Sequence, residues 1–321
     1  MKSLILLKGV QVENANAIAG HTYGFPALTH FLGYTHALSR ALQSRLGLTL
    51  GGCAIVCHDH QVQSYQPGGW GDHVFALTRN PLTKEGNTAA FIEEGRMQLN
   101  VSLVIACDFN EYDLDQTAGS KEEAISLFCD SVRELALIRK LAGGTITGLQ
   151  SVQFHVLPEQ FDERSIWMKK FMRRLLPGFL LQDATEQLRE HFSTLKTTDE
   201  NTELLDAWLE FMSYKQISVE KPSTKSGDNT TNVVWERVPP PGAGWCVPLA
   251  LGYRAISALY EPGEVARTRD QTTPFRFAEL AYGLGRWVSP HRFESIEPFI
   301  WRYHYENEWY LCQQFQNSTT N

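Results

Sequence analysis

A group of histidines near residue 58 carries the side chains best suited to bind a metal. His58 and His60 flank Asp59 and would share one face of a strand. Neither an HExxH motif nor a closing Cys or His pair accompanies them, so the spacing matches zinc ligands only loosely. The pattern favours a polar strand face and predicts no metal. Further histidines in the same N-terminal third are His21, His30, His36 and His73.

Nucleophilic catalysis has equally weak support in the sequence. Ser289 lies two residues before His291, and Cys57 directly precedes His58. Neighbours along the chain do not form a triad, because the base must reach its nucleophile in space while a third group orients it. The pair Glu93–Glu94 would point to opposite faces of a strand. The chain has neither GxSxG nor a P-loop, so we predict no catalytic group and no cofactor.

Binding chemistry is better represented, first in the stretch ENANAIAGHTYGFP, residues Glu13–Pro26. Asn14 and Asn16 supply donors and acceptors without the indiscriminate attraction of a cation. Tyr23 and Phe25 offer rings on which unpaired bases can stack. We expect this loop to precede a helix, whose free N–H groups favour phosphate. The sequence therefore predicts a loop that contacts single-stranded nucleic acid.

Cations supply the second binding signal. The run RSIWMKKFMRR, residues 164–174, contains no acid, and at helical spacing its cations form one basic face. That face is either solvated or in contact with a nucleic-acid backbone or an acidic partner. From Val233 onward the chain has many Arg and no Lys, and Arg suits phosphates and base edges. The candidates are Lys169, Lys170, Arg173, Arg174, Arg254, Arg267, Arg269 and Arg286.

Hydrophobic periodicity predicts the elements that position these residues. The order up to residue 156 is strand, helix, strand, strand, helix, strand, with additional hairpin material near 60–95. Pro26 is expected in the first turn of the first helix, and Ser120 with Glu123 forms a capping box at the second. This is the ferredoxin-like order β-α-β-β-α-β, so we predict an α+β fold with such a domain over residues 1–156.

The remainder of the chain divides by composition. Residues 157–217 are predicted to be a helical segment, and 218–232 a flexible loop, because 220–232 has no apolar residue. Residues 233–321 are rich in aromatics and are predicted to contain strands that pack back on the first domain.

Bulk composition limits the function classes. A net charge of −7 over 321 residues argues against general coating of DNA. It leaves room for a local basic groove, or for a subunit that shares nucleic acid with basic partners. Six Cys in apolar runs without a CxxC pair indicate buried thiols in the cytoplasm. No apolar run suits a signal peptide or a membrane span, so we expect no membrane contact.

Several motifs in order resemble one protein family. They are NANAI…YGFP, VCH, TRNPL, EEGR, LAGG, RRLLPGF, GW-VP, GY-A-S-LY-PGEV, TP-RF-E and GLG-W-SPHR. In this series the chain resembles the second subunit of the Csy complex. That subunit is the Cas-five-type RAMP protein of type I-F CRISPR surveillance complexes. The resemblance extends from about residue 5 to 305.

The resemblance implies a fold and a role. The fold would be RNA-recognition-like with a protruding hairpin or thumb. The protein would bind the 5′ handle of the CRISPR RNA, pair with the large subunit and abut the first backbone subunit. It would be non-catalytic, and target DNA near the PAM is a further candidate partner. Arg79 and Asn80 of TRNPL would lie near the RNA or the adjacent backbone subunit.

Two alternatives remain open. A related type I-C protein cleaves precursor RNA without a metal, which needs a base beside a 2′-OH. His21 and Tyr23 supply the groups for such an endoribonuclease. A stand-alone metal hydrolase is the other alternative, and it predicts stoichiometric zinc in the purified protein.

Overall fold

A continuous apolar run, residues 4–7, begins an interior strand of one large antiparallel sheet. A computed structural model describes residues 1–76, 81–89, 94–114, 118–222, 231–242 and 244–314. The strands are β1 (Ser3–Asn16), β2 (Ile18–Ala19), β3 (Thr22–Tyr23), β4 (Leu50–Val62), β5 (Ser64–Tyr65), β6 (Val74–Phe75), β7 (Arg96–Cys107), β8 (Lys140–Leu141), β9 (Gly144–Val156), β10 (Phe179–Asp183), β11 (Lys215–Pro222), β12 (Thr231–Val238), β13 (Trp245–Ala255), β14 (Ala278–Val288), β15 (Trp301–Glu306) and β16 (Trp309–Gln314).

Five α-helices lie within these described ranges. They are α1 (Leu28–Leu46), α2 (Lys121–Leu137), α3 (Phe161–Arg174), α4 (Thr185–Thr198) and α5 (Leu204–Met212). The predicted mixed α and β composition is therefore confirmed. The main sheet has ten strands in the order β10-β14-β13-β16-β15-β4-β7-β1-β9-β8, and three two-stranded hairpins stand apart from it.

The first helix follows its predicted stripe but begins later than Pro26. Ala27 is the N-cap and Leu28 the first helical residue, so the prediction that Pro26 lies in the first turn is wrong. The residue before a proline avoids the helical region, but here the chain stays extended past Pro26 as well. Gly47 ends the helix in the left-handed conformation, and its N–H donates to the Gln43 carbonyl.

The predicted cap of α2 is confirmed in part. The Ser120 hydroxyl accepts the N–H of Glu123 at 3.2 Å, as expected of an N-cap. The Glu123 carboxylate accepts the N–H of Gly119 at 2.8 Å rather than that of Ser120. The reciprocal bond is thus shifted by one residue.

Helices cover both faces of the sheet. From β1, Ile5 and Leu7 pack with α1 and α2, whereas Leu4 and Leu6 pack with α3. This second layer explains the pattern of β7, in which Arg96, Gln98 and Asn100 alternate with apolar residues at the start of the strand. Val104 continues that polar face but is buried in the α3 core, because a strand covered on both faces needs apolar residues on both.

Two predicted segment boundaries differ from the structure. The segment 157–217 is not wholly helical, because β10 lies between α3 and α4 and joins the main sheet. Part of the predicted loop 218–232 is strand, because β11 extends to Pro222 and β12 begins at Thr231, and the two pair from Lys215 with Val238 onward. Residues 223–230 lie outside the described ranges. Polar composition misled the prediction, since a solvated hairpin needs few apolar residues.

Six strands close into a ring at one end of the sheet. β10 pairs with β14 and also with β4, so the series β10-β14-β13-β16-β15-β4 returns to its start. β15 joins β4 through Trp301 and Cys53, and β10 joins the same strand through Phe179 and Cys57. One long strand thus serves two partners along one edge, and the C-terminal strands become part of the N-terminal sheet.

A half-buried histidine beneath α3 makes stability depend on pH. His155 lies 5.6 Å from the Trp167 ring and 5.5 Å from the Phe171 ring. Burial lowers its pKa below the ordinary 6.5, and the nearby Arg174 charge lowers it further. Below pH 6.5 the unfolded chain therefore binds more protons than the folded one, so this stability is complete above 6.5 and is lost as pH falls.

We expect urea unfolding to give a lower free energy of unfolding below pH 6.5 than above it. His155→Gln should make that decrease smaller, because the amide does not titrate. Partial burial also lowers the pKa of the half-buried His30, so part of the decrease should remain. If the free energy of unfolding fell as much below pH 6.5 in His155→Gln as in the unchanged protein, His155 would not be a source of the pH dependence.

Candidate nucleic-acid interface

The amide-rich stretch is more structured than a loop, because β1 continues to Asn16. Asn14 lies at a bulge with φ of 55°, and its side-chain oxygen accepts from Gln63 at 2.9 Å. The Asn16 amide donates to the Ile18 carbonyl at 2.8 Å, and its oxygen accepts the Ile18 N–H at 3.1 Å. Asn16 therefore organises the turn that leads to the aromatics, whereas Asn14 links β1 to Gln63 after β4.

The hairpin β2–β3 is held against β14. At its tip Gly20 has φ of 63°, and a Cβ there would lie 2.1 Å from the Tyr282 hydroxyl. The next N–H, of His21, donates to that hydroxyl at 2.9 Å. This contact fixes the tip, while the His21 side chain stays exposed. Beyond it Tyr23 is 72% exposed and meets Phe75 edge-on at 5.9 Å.

Phe25 contributes to the core as well as to the surface. Its ring stacks on Phe31 at 5.5 Å and meets Trp287 edge-on at 5.0 Å. One ring face is therefore occupied by Phe31, which leaves less surface for a base than the sequence suggested. Its main effect is to anchor the loop over Trp287.

A cavity of about 270 Å³ opens beneath this loop, and we call it the Tyr23–Trp245 cavity. Five chain segments that are distant in sequence meet there. Trp245 is 53% exposed and meets Phe179 edge-on at 5.9 Å. The lining residues are Tyr23, Gly24, Phe25, Cys57, His58, Asp59, His60, Phe179, Trp245, Val247, Pro248 and Trp287.

His58 has a structural role at the floor of this cavity. Its Nδ1 lies 2.5 Å from the Pro177 carbonyl, and its Nε2 lies 2.6 Å from the Ser102 hydroxyl. A carbonyl only accepts, so Nδ1 carries the proton and Nε2 accepts from Ser102. The Ser102 oxygen in turn accepts the N–H of Gly9 at 3.0 Å. Both ring nitrogens are thereby occupied, which leaves none for a metal.

Arginines line the opposite side of the same aromatic residues. A second depression is bounded by Phe179, Trp245 and Trp287 together with Arg286 and Arg292. Arg286 donates to the Gln182 side chain at 2.8 Å, and its Nε is buried without a partner among the described residues. The aromatic residues thus separate a cavity that contains Asp59 from a depression that contains two cations.

Comparisons with known proteins identify the family of this chain. The family model described as CRISPR-associated protein (Cas_Csy2) matches residues 5–312. The CRISPR-associated protein Csy2 of Pseudomonas aeruginosa strain UCBPP-PA14 is 38% identical over 315 residues, which cover 95% of this chain and 92% of that protein. The chain belongs to the Csy2 family of CRISPR-associated proteins. The family indicated by the sequence motifs is thereby confirmed.

Three predicted arginines of this Csy2-family chain lie apart from the cavity. Arg254 stacks over Trp309 at 5.1 Å, in the part of β13 that pairs with β16. Arg267 and Arg269 are exposed between β13 and β14, and none of the three lines the cavity. The structure therefore does not join them to the amide-rich stretch Glu13–Pro26, which we call the opening loop. Arg79 and Asn80 lie outside the described residues.

The basic face of α3 is present but is reduced by one cation. Lys169 forms an ion pair with Glu294 at 2.7 Å. Lys170, Arg173 and Arg174 are exposed and have no ion pair with any described residue. These three cations remain available for an anionic partner.

The sequence predicts neither a metal site nor a catalytic thiol, and the groups concerned can be located in the described ranges. No group of three or more His, Cys, Asp or Glu side chains is arranged to hold a metal ion there. All six cysteines are free, and burial raises the pKa of Cys53 to about 12, which keeps that thiol protonated. Among the described residues of this Csy2-family chain, every helix is too short or too polar to cross a membrane.

Sequence reasoning missed four residues of this interface, namely Phe179, Trp245, Trp287 and Arg292. Each lies in a motif that carried the family resemblance: RRLLPGF, GW-VP, GLG-W or SPHR. The signal was therefore visible, but only the closed ring of strands brings these motifs to the opening loop.

Proposed function

We propose that this chain is a non-catalytic, RNA-binding subunit of a type I-F CRISPR surveillance complex. It binds the 5′ handle of the CRISPR RNA and docks the large subunit and the first backbone subunit. The Tyr23–Trp245 cavity carries the proposal, because the Csy2-family chain presents several exposed rings around one opening. Unpaired RNA bases stack on such rings.

The order of the N-terminal strands supports an RNA-recognition-like domain. Strands β4, β7, β1 and β9 are adjacent in that order, and α1 and α2 lie together on one face. This arrangement suits a ferredoxin-like β-α-β-β-α-β unit of the RAMP type. α3 covers part of the second face, so the nucleic acid is expected at the ring of strands rather than across the whole sheet.

Exposed apolar side chains support contacts with other subunits. The β11–β12 hairpin pairs only with itself, and isolated two-stranded hairpins are marginally stable in water. It exposes Ile217 and Trp235, and the nearby α5 exposes Leu205 and Leu209. A protein partner would cover this surface. The cations Lys170, Arg173 and Arg174 suit an anionic partner, and target DNA near the PAM is one candidate.

The acidic net charge is compatible with RNA binding inside an assembly. Basic neighbours would supply most of the charge that neutralises the RNA backbone, while this chain supplies rings and a few arginines. The six free thiols fit a reducing compartment, so we place the complex in the cytoplasm.

A competition between guide RNAs tests the proposal. The complex that contains this chain should bind a guide with its native 5′ end at least about tenfold more tightly than one with a scrambled 5′ end, because each stacked base contributes about 1–3 kcal/mol. Tyr23→Ala should reduce this preference. Tyr305→Ala, which removes another exposed tyrosine, should leave it unchanged. Equal affinity for both guides would refute handle binding.

A second assay separates this role from RNA cleavage. Purified protein incubated with precursor RNA in EDTA should leave the RNA intact. Sequence-specific cuts that disappear in His21→Ala would instead establish the metal-independent endoribonuclease, with the exposed His21 imidazole as general base.

A further inference from the structure

We propose that a single unstacked base of the guide RNA inserts into the Tyr23–Trp245 cavity while its flanking phosphate lies on Arg292 and Arg286. The inference rests on the proposed function and specifies how one nucleotide is held. It assigns the base to the aromatic side and the phosphate to the arginine side of one wall, formed by Phe179, Trp245 and Trp287.

The aromatic side suits the flat face of a base. Tyr23 and Trp245 are the two most exposed rings of the cavity, and Phe179 is also exposed. Proteins rarely leave several large rings exposed around one opening unless a ligand covers them. The rest of the lining, with Val247, Pro248 and Trp287, is largely apolar and excludes water from a stacked ring.

Charge fixes the orientation of the nucleotide. Asp59 lies in the cavity, and its carboxylate would repel a phosphate there. Arg286 and Arg292 lie beyond the aromatic wall and would attract one. The base therefore enters beside Asp59, and the backbone passes over the arginines.

Arg286 is only partly committed to contacts within the protein. Its Nη2 donates to Gln182, and its Nε is buried without a partner among the described residues, so a phosphate would meet the outer edge of the guanidinium group. Gly244 leaves room for this side chain, because a Cβ at that position would lie 2.9 Å from the Arg286 Cδ. Arg292 is exposed beside it, so the two guanidinium groups can share one anion.

The carboxylate also predicts which bases fit. Asp59 accepts the His60 N–H at 2.9 Å through Oδ1, and its Oδ2 has no donor among the described residues. A carboxylate accepts from exocyclic amines, as in its pairing with cytosine N4. Adenine, cytosine and guanine carry such an amine and uracil does not. We therefore expect the cavity to disfavour uracil.

Fluorescence of 2-aminopurine tests the insertion directly. The guide that co-purifies with the complex is resynthesised with 2-aminopurine at successive positions of its 5′ end. One position should be strongly quenched in the complex, because the probe stacks on Trp245. Trp245→Ala should abolish that quenching and weaken binding on the order of 10- to 100-fold. Trp70→Ala, which removes a tryptophan that is 82% exposed and lies outside the cavity, should change neither.

Three further measurements test the phosphate contact and the base preference. Arg292→Ala should reduce the slope of log affinity against log salt by about 0.7, the value for one phosphate of a single strand. Arg292→Lys should restore the slope. Uridine at the quenched position should bind on the order of tenfold more weakly than cytidine.

The outcomes separate this inference from the proposed function. If the complex prefers the native 5′ end but no position responds to Trp245→Ala, handle binding stands and the inserted base is refuted. If the native 5′ end has no advantage, both are refuted. An unchanged salt slope in Arg292→Ala would refute the phosphate contact alone.

Discussion

Replacing Trp301 with alanine should lower the free energy of unfolding by about 3–5 kcal/mol, the usual cost of emptying a large buried site. Trp301 is the largest fully buried side chain of the described residues, at 0% exposure. It is the residue through which β15 pairs with β4, and its indole N–H donates to the Leu181 carbonyl at 3.2 Å. Truncation would therefore weaken the ring of strands at two connections.

Two companion variants separate volume from hydrogen bonding. Trp301→Phe keeps much of the ring but loses the N–H, so it should cost less than alanine. Trp70→Ala removes a tryptophan that is 82% exposed and should change stability by no more than about 0.5 kcal/mol. Urea unfolding monitored by circular dichroism gives the three values. A loss below about 1 kcal/mol in Trp301→Ala would show that the ring of strands does not depend on this residue.

Local patterns predicted the elements well, for a physical reason. The α1 stripe and the β7 alternation are short-range consequences of burying one face, and Gly47 supplied a backbone conformation that few other residues tolerate. β10 was missed because five residues carry too little pattern and lie between two helices. The sequence of β7 likewise does not predict that α3 covers the second face of the sheet.

In the candidate site, too, local sequence predicted one part and long-range pairing determines the rest. The composition of the opening loop, which combines amides, glycines and aromatics, predicted a binding role. Its partners, Phe179 and Trp245, are far away in sequence and meet it only because β10 returns to β4 and β13 pairs with β14. No local pattern encodes that closure. Long-range pairing therefore decides that Arg286 lies beside the aromatic residues of the site, whereas Arg254 stacks over Trp309.

The closure of the ring depends on one buried amide, which gives the second large prediction. β10 and β15 both reach β4 but share no strand pairing with each other, and Gln314 bridges them. Its Nε2 donates to the Leu181 carbonyl at 2.9 Å and to the Phe299 carbonyl at 3.0 Å. Its oxygen accepts the Asp183 N–H at 2.9 Å. One side chain thus satisfies backbone groups on both sides of the gap.

Gln314→Leu should lower the free energy of unfolding by about 2–4 kcal/mol, because it leaves the Asp183 N–H and the Phe299 carbonyl buried without a partner. Gln314→Glu should be at least as destabilising, since a carboxylate would face two carbonyl oxygens. Gln313→Leu, a change at the neighbouring half-buried glutamine, is the matched control and should have a much smaller effect. Equal losses at the two positions would contradict the bridge.

The double variant gives the sharpest test of this bridge. Trp301 and Gln314 are directly opposite each other on β15 and β16, and both donate to the Leu181 carbonyl. Either bond alone keeps that carbonyl paired, so only the double change leaves it empty. The combination of Trp301→Phe and Gln314→Leu should therefore cost about 0.5–3 kcal/mol more than the sum of the single losses. Simple additivity would show that Leu181 does not link the two side chains.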